Sequence, residues 1–286
     1  MDMQNTIKQA VSVMGIALHT GARANLRICP APVNTGIVFR RVDMPGAPSV
    51  KAEAGNVIDV RRATTIASRS TGAFVVTVEH VMAALHASCV DNAIVEMDGA
   101  EPPIADGSAG PYFDMIQSVG LEEQDQPAQY WTATEPIVVE DGDKKLILTP
   151  CDHLEIEMKV DFGASPLYAQ DFSLTVNRDT FAKELSGART FCPYKELEQV
   201  IAAGLAKGGS LDNAVILHDG AIISKDGLRY PNELVRHKIM DMVGDIYLVG
   251  KRVRAHISSV KSGHPTHVKL AQTMLMQEAA AKNIQS

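Results

Sequence analysis

The alternation of apolar and polar positions divides the chain into strands, a helix, a strand and a helix, and then repeats that order. In the N-terminal half, Ala24–Cys29 and Gly36–Arg41 alternate or are rich in β-formers and are read as strands, followed by Thr64–Ala67 and Ala73–Thr77. A helix is predicted from about Val78 to Ala87 with Thr77 as N-cap, then a strand over Asn92–Met97. After the proline-rich turn EPPIADGSAG comes a second helix, about Pro111–Val119. The stretch LEEQDQPAQYWTATEP (121–136) is polar, proline-containing and non-periodic, and reads as a linker. Beyond it, strands are predicted at Ile137–Glu140, Lys144–Thr149 and Leu154–Val160, a helix near Lys195–Ala203, and strands at Ala214–Leu217 and Ala221–Ile223. A long helix over about Asn232–Leu248, a strand over Val253–Ser259 and a last helix over about Pro265–Ala281 complete the order. The expectation is a duplicated α+β unit with domains at residues 1–126 and 127–286; no residue-level repeat accompanies it.

Two of these helices carry charge where chemistry is possible. On the long helix, His237, Asp241 and Asp245 fall on one stripe because residues four apart share a face, with Gly244 and Leu248 beside them and Lys238 flanking. Ile239, Met242, Ile246 and Val249 form the opposite apolar stripe. By spacing alone, an ordinary amphipathic helix with a solvated polar side accounts for this pattern better than a metal site does. The first helix changes the balance. Glu79 and His80 lie off its Val78–Val81–Met82–Leu85 stripe, next to Ala83, Ala84 and Ala87, small residues that permit close approach of another element. His86 points elsewhere and is read as structural. Glu79–His80 and His237…Asp241 together supply three candidate ligands and a spare carboxylate, the inventory of a hydrolytic zinc site. A third cluster, KSGHPTH, holds His264 on a tight turn at a helix entrance.

Composition narrows the function classes. A net charge of −7 opposes broad nucleic-acid binding, and no apolar run approaches the ~20 residues that span a bilayer. The N-terminal stretch lacks the basic start of a signal peptide, so the expected location is the cytoplasm, with at most peripheral membrane contact. Cys29, Cys89, Cys151 and Cys192 are far apart, which leaves any metal to His and carboxylate. Cys192 has no activating base adjacent in sequence and is not read as a nucleophile. Neither GxxxxGK[ST] nor GxGxxG is present.

Eight segments in order carry a resemblance that covers nearly the whole chain: GIALHTG (15–21), PAPVNTGIVFRR (30–41), TVEHVMAAL (77–85), PIADGSAGPY (103–112), GARTF (187–191), GGSLDNAVIL (208–217), LRYPNELVRHKIMDMVGD (228–245) and KSGH (261–264). The chain resembles the UDP-3-O-acyl-N-acetylglucosamine deacetylase family of zinc enzymes in lipid A synthesis. The resemblance implies two similar domains, each a β-sheet layered with two helices, helices packed between the sheets and the active site in the cleft. It implies that His80, His237 and Asp241 bind one Zn2+, with Fe2+ the alternative, and that Glu79 is general base to a zinc-activated water. It implies that Thr190 helps bind the oxyanion and that His264, oriented by Asp245, is an electrostatic partner or general acid. It also implies that Lys238, Lys261, Phe191, Phe162, Lys144 and His19 contact a UDP-linked acylated amino sugar, in a monomer.

Departures from the family pattern are local. Ile16-Ala17 replaces a Val-Gly pair, Ala67 stands where some relatives carry a zinc-reaching thiol, and residues 161–172 diverge, so acyl-length preference does not transfer. Two other readings compete. One is a zinc amidohydrolase of the same architecture for another acylated amino sugar, separable by UDP competition. The other is a binding module of RNA-binding type, which the acidic charge opposes. A purely structural metal site fails on ligand count.

Overall fold

Alternating strands build two sheets that share one strand order. The structure, a computed structural model, describes residues 2–163 and 165–285. Met1, Ala164 and Ser286, which fall within the sequence-based domain limits and the divergent 161–172 stretch, lie outside the described residues. The first sheet runs Val11–Ile16, Arg23–Pro30, Ala93–Met97, Ile37–Arg41, Ser49–Lys51. The second runs Ile137–Asp141, Lys144–Thr149, Arg252–Val260, Leu154–Asp161, Ala169–Thr175, with Tyr130–Thr132 paired alongside the start of its central strand. In both five-strand paths, the central strand comes last in sequence, pairs antiparallel with the second strand and parallel with the fourth, and the two outer pairs are antiparallel; Tyr130–Thr132 adds a parallel pair in the second sheet alone. The duplication expected from element order is therefore repeated, pair for pair, in the ladders. Each sheet is half-buried: Ala24, Leu26 and Ile28 point inward while Arg23, Asn25 and Arg27 face out, and Leu154, Ile156 and Met158 repeat this in the second sheet.

Six α-helices lie among the described residues: α1 (Glu79–Ala87), α2 (Gly110–Val119), the one-turn α3 (Arg178–Thr180), α4 (Tyr194–Ala202), α5 (Glu233–Ile246) and α6 (His264–Gln285). Helix α2 packs on the first sheet, α5 and α6 on the second, and α1 against α5, so helices meet helices between the two sheets. At nine residues α1 is too short to hold as an isolated helix; every residue in it is buried, and its stability comes from that packing. The closest approach is at Gly244, where an added Cβ would lie 2.0 Å from the Glu79 carbonyl oxygen and 3.1 Å from the Ala83 nitrogen. Of the small residues read from the α1 sequence, Ala83 lies at this contact.

Several expectations are corrected. Residues 121–136 are not a simple linker: Leu121–Pro127 pairs with Met3–Ile7, and Tyr130–Thr132 joins the second sheet. The first of these strands lies in a two-stranded ribbon with both faces largely in solvent, so no alternation marks it. Thr77 does not cap α1. Its φ is +58°, its hydroxyl donates to Glu101 Oε1, and Val78 occupies the cap position without a side-chain bond. The polar stripe of α5 is not solvated: His237, Asp241 and Asp245 are as buried as its apolar stripe.

His86 is structural, as its position suggested. Its ring stacks on Tyr247 at 4.3 Å between centroids, and its Nδ1–H donates to the Val243 carbonyl at 2.9 Å, tying α1 to α5. Burial pushes its pKa down to about 4. The unfolded chain protonates this residue near pH 6.5, the folded chain only near 4, so stability present at pH 7 is lost as pH falls between those values. The loss is up to about 3 kcal/mol. Urea denaturation from pH 7 to 4 is expected to show a visibly flatter pH dependence in His86→Gln than in the parent; parallel curves would contradict the buried neutral ring.

Candidate active site

Helix α1 brings His80 and helix α5 brings His237 and Asp241 to one point. The donor atoms of these three buried residues lie within 4.8 Å of one another. Asp241 Oδ1 is 3.6 Å from His80 Nε2 and 3.5 Å from His237 Nε2, and the two rings meet edge to face at 5.2 Å. The donor set suits a metal. His237 donates from Nδ1 to the Ala188 carbonyl at 3.0 Å, which leaves the Nε2 lone pair facing the cluster. Burial pushes its pKa down to about 4, so the ring is neutral near pH 7. Burial raises the Asp241 carboxyl, but His237 and the Lys238 ammonium, 2.7 Å from Oδ2, outweigh it and hold the group well below the usual range. Two imidazoles and one carboxylate fit a borderline-soft divalent cation with a position left for substrate.

Glu79 and His264 flank the cluster. Glu79 Oε2 accepts from the Thr64 backbone N–H at 3.0 Å, and Oε1 lies 3.9 Å from His264 Nε2. Burial raises the Glu79 pKa against the pull of His264 and His80. Burial opposes a charged His264, yet Asp245 Oδ2 at 2.8 Å from Nδ1 overrides it and lifts the pKa to about 9, so this imidazole is cationic at neutral pH. Asp245 accepts three bonds: from His264, from His267 Nδ1 at 3.0 Å and from the Thr64 hydroxyl at 2.7 Å. Despite its burial, these partners bring the carboxyl to about 2, with the charge of His264 foremost. Asp245→Asn leaves His264 without its counter-ion. It is expected to lower stability by about 3 kcal/mol or more, as breaking a buried pair does, read by urea denaturation. An unchanged midpoint would mean that the carboxylate does not hold His264.

The cluster opens on a cavity of about 620 Å³. Of the residues singled out in the sequence, His19, Glu79, His80, Phe162, Thr190, Phe191, His237, Lys238, Asp241 and His264 line it. The rest of the wall is largely apolar, including Leu197, Val200, Ile201, Leu211, Ile216 and Ile223. Phe191 bridges the cluster and the wall, 5.9 Å from the His237 ring and 4.9 Å from Phe162. His19 Nδ1 is buried with no hydrogen-bond partner, an orphan donor or acceptor on the cavity wall. Lys144 and Lys261 are not among the lining residues. Lys261 pairs with Asp143 at 3.1 Å and with Asp161, next to Phe162, at 3.6 Å, and Lys144 pairs with Asp141 at 3.4 Å.

Three supporting residues and one buried ion pair were not read from the sequence. Thr64 serves both Glu79 and Asp245, and His267 is a second imidazole on Asp245. Glu101 accepts from His19 N, Thr20 N and the Thr77 hydroxyl and so fixes the turn that carries His19. A buried Arg189–Glu233 pair at 2.8 Å anchors the segment before Thr190 to the first turn of α5. His267 stands three residues after His264, one turn on, which is the single signal that marks it.

A buried metal-donor cluster with a carboxylate and a cationic imidazole, set between two like α+β layers, defines the class as a metalloenzyme fold with its site between the layers. The particular family follows from comparison: the sequence matches the LpxC family, described as UDP-3-O-acyl N-acetylglycosamine deacetylase, over residues 4–276, and the chain belongs to it. Three similar curated relatives carry the name UDP-3-O-acyl-N-acetylglucosamine deacetylase. That of Myxococcus xanthus is 42% identical over 272 residues, covering 95% of this chain and 86% of its own. Those of Idiomarina loihiensis and Acidithiobacillus ferrooxidans are 41% and 40% identical over 282 residues, covering 98% of this chain and 92% of each.

Proposed function

We propose that this protein hydrolyses the N-acetyl group of a UDP-3-O-(3-hydroxyacyl)-N-acetylglucosamine, releasing acetate and the free amine, in lipid A biosynthesis. The observation that carries the reading is the joining of the His80–His237–Asp241 cluster to Glu79 and His264 on the wall of a largely apolar cavity, in a member of the deacetylase family. One Zn2+, with Fe2+ the alternative, held by His80, His237 and Asp241, supplies the Lewis acidity that makes water a nucleophile near neutral pH.

The chain's own groups do the rest. Glu79 takes the proton from the attacking water; burial raises its pKa toward the working range of a base. The Thr190 hydroxyl and the His264 imidazolium donate to the oxyanion that develops on the acetamide carbonyl, each such donor contributing about 10²–10³ in rate. Glu79 and His264 lie 3.9 Å apart, so both reach the region of the leaving amine that must be protonated as the C–N bond breaks. The acyl chain enters the apolar part of the cavity, around Val200, Ile201 and Ile223. His19, with its unpartnered Nδ1, and Lys238 bind the sugar diphosphate; Phe162 flanks the nucleotide, with Lys261 and Lys144 beyond it. No helix among the described residues is long and apolar enough to cross a membrane. We place the protein in the cytoplasm as a monomer, with domains at 1–126 and 127–286 and the site between them.

The test is acetate release from UDP-3-O-(3-hydroxyacyl)-N-acetylglucosamine by metal-analysed protein, with UDP as competitor. Turnover that requires one metal per chain and falls with added UDP supports the reading. Metal bound without turnover, and no binding of UDP, would transfer the site to another acylated amino sugar.

A further inference from the structure

A second set of metal-type donors lies on the outer face of the second sheet. Cys151, His153 and Glu155 stand two residues apart, the first two on the bend after Lys144–Thr149 and the third in the strand Leu154–Asp161. Leu154 is buried and opens the strand, so Glu155 turns to the other face, while Cys151 and His153 sit on the bend before it, partly exposed and exposed. Cys151 Sγ is 3.6 Å from His153 Nδ1 and 3.7 Å from Nε2, and Nε2 is 3.6 Å from Glu155 Oε2. All three donor atoms fall within 4.8 Å of one another.

These spacings are near those of a coordination edge. Zn–S, Zn–N and Zn–O bonds of about 2.3, 2.0–2.1 and 2.0–2.2 Å at tetrahedral angles put neighbouring donors about 3.3–3.6 Å apart. A His–Glu surface pair alone would need no thiol, and a buried apolar cysteine would not share an imidazole with a carboxylate. Here sulfur, nitrogen and oxygen lie close enough to meet one ion once the exposed imidazole turns toward it. We propose that Cys151, His153 and Glu155 form a second, solvent-facing site for a borderline-soft divalent cation of the Zn2+ class, with its remaining position open to water.

The site is separate from the cavity. Cys151, His153 and Glu155 do not line it, and Phe162, which does, follows the far end of the strand Leu154–Asp161. The two ends are thus about six residues apart, or roughly 20 Å of strand. The cation would tie the turn that carries the chain across the end of the central strand to the first residues of Leu154–Asp161. Its occupancy would be felt as resistance of that turn to unfolding.

Cobalt titration of the protein already holding one equivalent of Zn2+ tests this. The His80–His237–Asp241 cluster contains no sulfur, so a thiolate-to-cobalt charge-transfer band in the near ultraviolet reports a different site. The expected result is one further equivalent of Co2+ with that band. Cys151→Ser abolishes the band, and Glu155→Gln weakens binding at least about tenfold, the smaller end of what even outer-sphere partners contribute. Cys192→Ser, which alters the one cysteine on the cavity wall, leaves the band intact. Native mass spectrometry of the same samples counts the ions, and circular dichroism of Cys151→Ser checks that the variant is folded. Absence of the band, its survival in Cys151→Ser, or its loss in Cys192→Ser overturns the proposal.

Discussion

Glu79→Gln is expected to keep one metal per chain and to lose at least about 10²-fold in kcat, whereas His80→Ala loses both metal and turnover. The two residues are adjacent in sequence and both buried, yet they stand in different relations to the cluster. His80 Nε2 faces Asp241 Oδ1 across 3.6 Å and is one of the three converging donors; Glu79 is not. Glu79 is held from the other side by the Thr64 N–H on Oε2. A glutamine oxygen can still accept that bond, and Asp245 remains at 2.8 Å as the counter-ion of His264, so the fold has little reason to change. What the amide cannot do is take a proton from water. Metal content by elemental analysis, measured beside acetate release, separates the two losses. A Glu79→Gln protein stripped of metal would make the carboxylate a ligand rather than the base.

The sequence exposed the ligands more readily than what holds them. His80, His237 and Asp241 stood out because charge at helical spacing beside small or apolar residues is uncommon without a reason, and the ordered motifs supplied the rest. The strands of both sheets were legible where one face is wet, as at Arg23–Pro30 and Leu154–Asp161. Leu121–Pro127 was not, because a ribbon in solvent on both faces carries no period. Val11–Ile16 was missed for a different reason: Val11 and Val13 pack on the core, but the apolar Met14 and Ile16 on the exposed face blur the alternation. Thr64, Glu101 and His267 act through contacts across 15 to 181 residues of chain or through a single buried carboxylate, and such partners have no local signature. The solvated side expected for α5 failed for a related reason. Amphipathic spacing tells which residues share a face, but not whether water or another helix lies beyond it.

That distinction makes Gly244→Ala the most informative packing change. On an isolated helix, alanine for glycine is favourable by about 1 kcal/mol. At Gly244 the added methyl meets a backbone carbonyl, Glu79 O, at 2.0 Å, with Ala83 N at 3.1 Å behind it, and neither can swing aside as a side-chain end would. Helices α1 and α5 must therefore separate, and overpacking of this kind costs typically about 1–3 kcal/mol. We expect a net loss of about 2 kcal/mol in urea denaturation, with Gly99→Ala, which meets nothing within 4 Å, near neutral as the control. The same movement carries Glu79 and His80 away from His237 and Asp241, since Gly244 lies three residues past Asp241 on the face that touches α1. Metal affinity is thus expected to fall along with stability, although no donor atom has been altered. If Gly244→Ala instead matched the parent in both, the approach of the two helices could not be what sets the distance between His80 and Asp241. The glycine at the crossing would then have no explanation in packing, and helix propensity, which favours alanine, supplies none.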